Sequence, residues 1–182
     1  MRTFEEAVLA AVSFAARAHR HQLRKDGRTP YVAHPLRVAL IVRHLLGCGD
    51  EEVLAAAVLH DCLEDTDTDY DDLAAAFGEQ VARWVAALSK DCRLPEEQRE
   101  EAYCRQLRAA DWQVHLLKLA DMYDNLTDSA HLEPSKRAQV VRKVRRYLEA
   151  LRPTSADPPL VSAARRLVEQ ALSQLEQHEV QV

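Results

Sequence analysis

Apolar residues recur along this chain at spacings of three and four, and no stretch alternates apolar and polar for the length of a strand. Val8, Val12, Ala15, Ala16 and His19 form one such stripe, with Thr3 and Glu6 in capping-box relation ahead of it, so a first helix is expected from Phe4 to His21. A polar loop follows, and Pro35 suits the first turn of the next helix, which places His34 at its very start. Leu36, Val38, Ala39, Ile41, Val42, Leu45 and Leu46 continue that helix until Gly47 and Gly49 stop it. Asp50 can cap a third helix, with Glu51 and Glu52 in its first turn, where acids suit the helix dipole. From Leu54 to Leu59 this helix has no polar face, the mark of a central element packed on every side. Further helices are expected at Tyr70 to Phe77, Glu79 to Ser89, Pro95 to Ala110, Val114 to Leu126, Pro134 to Leu151 and Leu160 to Gln177. Eight or nine helices and no strand make an all-α protein, and 182 residues suit a single domain, 1–182.

Composition agrees with this pattern and narrows the partners. Four glycines, seven prolines and 5% aromatic residues leave little turn-rich β structure. The net charge is -5 and no stretch concentrates lysine and arginine, which argues against polymeric nucleic acid. No run reaches the roughly eighteen apolar residues of a membrane span, and the first residues, Met-Arg-Thr-Phe-Glu-Glu, form no apolar signal region. Cys48, Cys62, Cys92 and Cys104 lack any Cys-x-x-Cys spacing and read as reduced cysteines of a cytoplasmic protein.

The candidate chemistry lies where apolar helices turn polar. The central helix runs into His60-Asp61-Cys62-Leu63-Glu64-Asp65. On a continuous helix His60 and Glu64 share one face, Asp61 and Asp65 the next, so all four side chains can point into one concavity. Burying that many carboxylates without a cation is costly, and a divalent ion is the usual answer. The helix from Val114 ends in the same manner, in Asp121, Asp124, Asn125 and Asp128. His34, His60, Asp61 and Asp121 together make two imidazoles and two carboxylates, a set suited to manganese or iron and compatible with zinc. Acids at helix ends also serve as caps, and the cations of the loop before His34 also suit a solvated loop; the residue types alone leave those alternatives open.

Three stretches taken in order carry more: Arg24-Lys25-Asp26-Gly27 through Thr29-Pro30-Tyr31 to His34-Pro35-Leu36, then Leu59-His60-Asp61 with Glu64-Asp65-Thr66, then Lys118-Leu119-Ala120-Asp121 with Asn125. The region from Ala15 to Asp128 resembles the HD superfamily of metal-dependent phosphohydrolases, and within it the hydrolase domain of RelA/SpoT-type proteins and their small stand-alone homologues. That resemblance implies an all-helical HD fold and a single metal, usually manganese, on His34, His60, Asp61 and Asp121. It matches Glu64 and Asp65 to the acidic pair that orients and deprotonates the attacking water. Arg24 and Lys25 match residues that hold a nucleotide, and Asn125 a contact to its sugar or phosphate. The implied activity is removal of the 3′-pyrophosphate from guanosine tetra- or pentaphosphate. Alternatives are hydrolysis of another phosphorylated nucleotide, such as a 2′- or 3′-phosphate ester, and a nucleotide sensor without turnover. The intact Glu64-Asp65 pair argues against the sensor, and a synthetase domain is not expected in a chain of this length. Four positions depart from the family pattern: Glu96 and Glu97 where small homologues place lysine, Thr127 where a basic residue is common, and Asp124 where an aromatic or histidine-like residue is common. All four are expected on the substrate side, where Glu96, Glu97 and Thr127 make the far side of the pocket less cationic.

Overall fold

The computed structural model describes residues 4–129, 132–155 and 157–180; Thr3, the first half of the expected capping box, lies outside them. Among the described residues ten α-helices follow one another: α1 (Phe4–Ala18), α2 (Ala33–Leu40), α3 (Glu51–Leu59), α4 (Cys62–Asp65), α5 (Tyr70–Phe77), α6 (Glu79–Leu88), α7 (Glu96–Ala109), α8 (Trp112–Thr127), α9 (Pro134–Ala150) and α10 (Pro159–Val180). The same residues include no strand, only an isolated bridge between Leu23 and Pro30.

The wholly apolar run is central, as its pattern demands. Every residue of α3 from Val53 to Leu59 is buried, with α1, α2, α6 and α8 packed around it. The Asp50 carboxylate accepts the Val53 amide at 3.1 Å and so caps the start of α3. α8 is the second internal helix; α10 lies along it and buries Val161, Ala164, Val168 and Leu172 in the common core. These two internal helices, α3 and α8, end in the polar clusters, so the fold carries both acidic termini out of the same core.

Two elements differ from the periodicity. The second helix widens into a π-helical turn, Ile41–Leu45, in which the Leu46 amide donates to Ile41 O at 3.0 Å. Ile41 and Val42 are buried while Leu40 and Leu45 face outward, so the apolar spacing that predicts one stripe covers two directions. The central helix stops at Leu59, where the spacing predicts a continuous helix running on to Asp65, and resumes as α4. The cause is local: His60 Nδ1 donates to Ala57 O at 2.8 Å, the carbonyl that an uninterrupted helix pairs with the Asp61 amide. α1 also ends early, at Ala18, because the Gln22 amide turns back to His19 O at 2.9 Å. Among the described residues no helix is long and apolar enough to cross a membrane.

Candidate metal centre and substrate cleft

His34 enters the site from the first turn of α2. Its Nδ1 lies 2.6 Å from Asp124 Oδ2, and a carboxylate can only accept, so Nδ1 carries a proton and, in the neutral ring, Nε2 keeps the lone pair. His60 is set by the same logic: its Nδ1 donates to Ala57 O, which leaves Nε2 as the acceptor. The two free nitrogens converge on two carboxylates. His34 Nε2 lies 3.1 Å from Asp121 Oδ1 and 3.5 Å from Asp61 Oδ2; His60 Nε2 lies 3.1 Å from Asp61 Oδ2 and 3.9 Å from Asp121 Oδ1. Ligand atoms of His34, His60 and Asp121 all fall within 4.8 Å of one another. His60 Nε2 is buried and has no hydrogen-bond partner within the protein. A buried orphan nitrogen facing two carboxylates and a second imidazole fits a divalent cation.

The electrostatics agree. Burial opposes a charge on His34, but hydrogen bonds with Asp121 and Asp124 outweigh it and push its pKa up to about 9, so below that pH Nε2 carries a second proton that a bound cation would displace. Burial likewise opposes ionised Asp61 and Asp121. His60 and His34 nevertheless hold Asp61, and Lys118 and His34 hold Asp121, below the usual carboxylate range. Both carboxylates therefore stay ionised and can face a cation.

Around these atoms a second layer fixes directions. Lys118 Nζ lies 2.7 Å from Asp121 Oδ2, and its ammonium sits over the rings of Tyr103 and Tyr147, 5.4 and 5.0 Å from their centroids. Asn125 Nδ2 donates to Asp121 Oδ1 at 2.5 Å. The Tyr31 hydroxyl faces Asp61 Oδ2 at 2.6 Å and Asp65 Oδ2 at 3.1 Å, and burial and the Asp61 charge keep it protonated as a donor. Glu64 Oε2 accepts the Lys90 amide at 2.9 Å. Burial raises the pKa of both Glu64 and Asp65, although the Lys90 amide pulls Glu64 back and the Tyr31 hydroxyl does the same for Asp65. Two carboxyls so tuned, within the field of Asp61, can take up a proton near the metal cluster.

The loop before α2 brings cations to the rim. Asp26 accepts the amides of Arg28 and Thr29 and the Thr29 hydroxyl, with Gly27 in the left-handed region at φ +69°, so the loop is tightly turned. Arg24 folds inward: its guanidinium bonds Asp128 Oδ2 at 3.1 and 2.8 Å and Asn125 Oδ1 at 3.3 Å. Burial lowers the pKa of Lys25, and Arg24, Lys143 and Lys136 lower it further, the signature of cations gathered in one place. Beside them a cavity of about 670 Å³ opens between α7 and α9, lined by Glu96, Glu97, Glu100, Arg142, Lys143 and Arg146.

Ligand atoms of His34, His60 and Asp121 thus form one group, with Asp61 Oδ2 beside both Nε2 atoms; Asn125 bonds Asp121, Arg24 bonds Asn125, Asp65 meets Asp61 through Tyr31, and Glu64 is held by the Lys90 amide. Glu96 and Glu97 line the α7–α9 cavity, and Thr127 bonds carbonyls of its own helix, Tyr123 O and Asp124 O. Asp124 is the correction. It is 2% exposed and lies behind His34, bound by Arg37, so it subtracts nothing from the charge of the substrate side. Lys90, Tyr103 and Tyr147 carry no local sequence signal. Lys118 does: a lone cation in the run Leu116-Leu117-Lys118-Leu119-Ala120 must find a buried partner.

Known proteins share this architecture. The model of the HD domain family matches residues 11–148. The human protein guanosine-3′,5′-bis(diphosphate) 3′-pyrophosphohydrolase MESH1 is 41% identical over 143 residues, covering 78% of this chain and 79% of its own length, and the Danio rerio protein of the same name is 40% identical over 143 residues, 78% of each chain. A solved structure of a metazoan ortholog of SpoT that hydrolyses ppGpp superposes with a TM-score of 0.80 at 29% identity, over 92% of this chain and 94% of that one. With its helical fold and its sequence both matching over most of their length, and two buried histidines facing paired aspartates, the chain belongs to the HD-domain family.

Proposed function

We propose that this chain hydrolyses the 3′-pyrophosphate of guanosine 3′,5′-bis(diphosphate), with one divalent ion, manganese by preference, on His34, His60, Asp61 and Asp121. The observation that carries it is the convergence of His34 Nε2, His60 Nε2, Asp61 and Asp121 beside two carboxyls of raised pKa and a rim of cations. A bound divalent ion supplies a more acidic water and offsets charge on the phosphoryl oxygens.

The residues divide the remaining work. Glu64, held at Oε2 by the Lys90 amide, accepts the proton of the attacking water, and Asp65, oriented by Tyr31, helps direct that water. The water oxygen bonds to the phosphorus on the 3′ oxygen, the 3′ ester P–O bond breaks, and a nucleoside 5′-diphosphate and pyrophosphate leave. Arg24 and Lys25 meet phosphates, while Asn125 reaches the sugar or phosphate. Glu96 and Glu97 in the neighbouring cavity favour a second reading, a nucleotide whose 5′ end is less negative. Steady-state pyrophosphate release from the guanosine tetraphosphate with manganese, beside phosphate release from a 2′- or 3′-phosphorylated nucleotide lacking the 5′-diphosphate, separates the two. Far better turnover of the second compound overturns the alarmone assignment and leaves the hydrolase.

A further inference from the structure

We propose that Asp124, clamped by Arg37, is a positioning residue for His34: it fixes the tautomer and direction of the ring, and so sets how tightly the chain holds its divalent ion. This role rests on the metal reading above, yet Asp124 belongs to no part of the ligand set. A neutral imidazole has one N–H to give. Spending it on Asp124 Oδ2 at 2.6 Å leaves Nε2 pointing at Asp61 and Asp121 with its lone pair exposed to them. Without that acceptor the ring can carry its proton on either nitrogen and can turn over.

The two histidines are backed differently. Behind His60 stands a neutral carbonyl, Ala57 O; behind His34 stands a buried carboxylate. Hydrogen bonds to a charged acceptor are roughly twice as strong as neutral ones, and a carboxylate behind the ring makes the opposite nitrogen a better donor to a metal. Such a carboxylate is costly unless neutralised, and Arg37 does this with two bonds, Nε to Oδ1 at 2.7 Å and Nη2 to Oδ2 at 3.0 Å. Arg37 Nη2 also lies 3.1 Å from Asp128 Oδ2, which holds Arg24 at 2.8 Å. An alternating chain of charges, His34, Asp124, Arg37, Asp128, Arg24, therefore ties a metal ligand to the cation proposed to grip the nucleotide.

Manganese titration of the purified full chain against a chromophoric chelator tests this role apart from activity. Asp124→Asn keeps the size and a carbonyl acceptor but removes the charge; Asp124→Leu removes both. Affinity for manganese should fall by up to about 10-fold in the first and about 10- to 100-fold in the second, the range typical when a metal-ligating histidine is deprived of its partner. Arg37→Ala, which leaves Asp124 in place, should fall less than either. In ¹⁵N NMR of the metal-free chain at a pH high enough for a neutral ring, His34 of the wild type should be protonated at Nδ1 and that of Asp124→Leu a mixture of tautomers. A pure brace between α2 and α8 gives the other pattern: lower melting temperature in all three variants, with manganese affinity within about twofold of wild type, and that result overturns the role of Asp124. If Asp124→Leu does not fold, Asp124→Asn and Arg37→Ala decide by the same criterion. A wild-type chain that binds no manganese overturns the metal reading itself, and this role with it.

Discussion

The floor of the site, where α2, the α3–α4 junction and α8 meet, keeps its charged and polar groups almost wholly out of water: His34, His60, Asp121 and Asp124 are 1%, 4%, 6% and 2% exposed. The wall between α7 and α9 keeps them in it. Glu97 and Arg146 lie 3.5 Å apart there with side chains 79% and 35% exposed. In the floor the charged groups are paired out of water, within a helix or across helices, and removing one partner of a buried pair leaves the other unpaired, at a cost of roughly 3–5 kcal/mol. On the wall, exposed pairs contribute roughly 0.2–1 kcal/mol and are screened by salt. On the proposed function, chemistry that needs fixed geometry would fall to the floor, and recognition of a charged ligand, which tolerates substitution, to the wall.

That contrast breaks most sharply at Asp61. Its carboxylate faces both Nε2 atoms, so Asp61→Ala should lose most of the bound metal and nearly all turnover, as metal analysis of the purified variant will show. Full activity in a sample stripped of metal sinks the assignment. Glu64→Gln comes next, because it keeps shape and removes the base: kcat should fall by about 10² to 10⁴-fold with metal retained. If the metal leaves as well, Glu64 is a ligand. The same residue predicts a pH effect. Only the ionised carboxyl accepts a proton and burial raises its pKa, so kcat/KM should decline with falling pH at values above the ordinary glutamate range.

Arg24→Ala should act on binding more than on chemistry, raising KM by about 10-fold or more, since a hydrogen bond between charged groups at a shielded site contributes on the order of 1.5–3 kcal/mol. An unchanged KM removes Arg24 from the residues that hold substrate. Smallest is the wall: Glu96→Lys should lower KM for the tetraphosphate a few-fold with kcat unchanged, the pattern of uniform binding, in kinetics repeated at high salt, where the gain should shrink. A change in kcat there, instead of KM, places Glu96 nearer the reacting atoms than the cavity allows.

The floor is also the more legible of the two regions. An apolar run ending in His60-Asp61 is a local pattern, and so is Asp121 at the end of α8; both follow from helical spacing and the cost of burying charge. What spacing does not carry is partnership across the fold. Arg37 meets Asp124 from 87 residues away, and Lys118 lies over rings supplied by α7 and α9, so neither pairing has a sequence signature. The interruption at His60 is hidden for a related reason: a ring nitrogen takes a backbone acceptor, which residue type alone does not specify. On the wall, Glu96 and Glu97 are readable as charges but not as neighbours of α9.

α10 has a consequence for timing. It covers α8, the helix that bears Asp121 and Asn125, whereas the turn bearing Lys25 is held by loop hydrogen bonds, the Leu23–Pro30 bridge and the bonds of Arg24 to Asn125 and Asp128. α8 cannot open until α10 has undocked, so its amides should be among the slowest in the chain to exchange with deuterium, and those near Lys25 among the fastest. The turn around Lys25 would then move many times during each opening of α8, with the bonds of Arg24 to Asn125 and Asp128 as its tether to that helix.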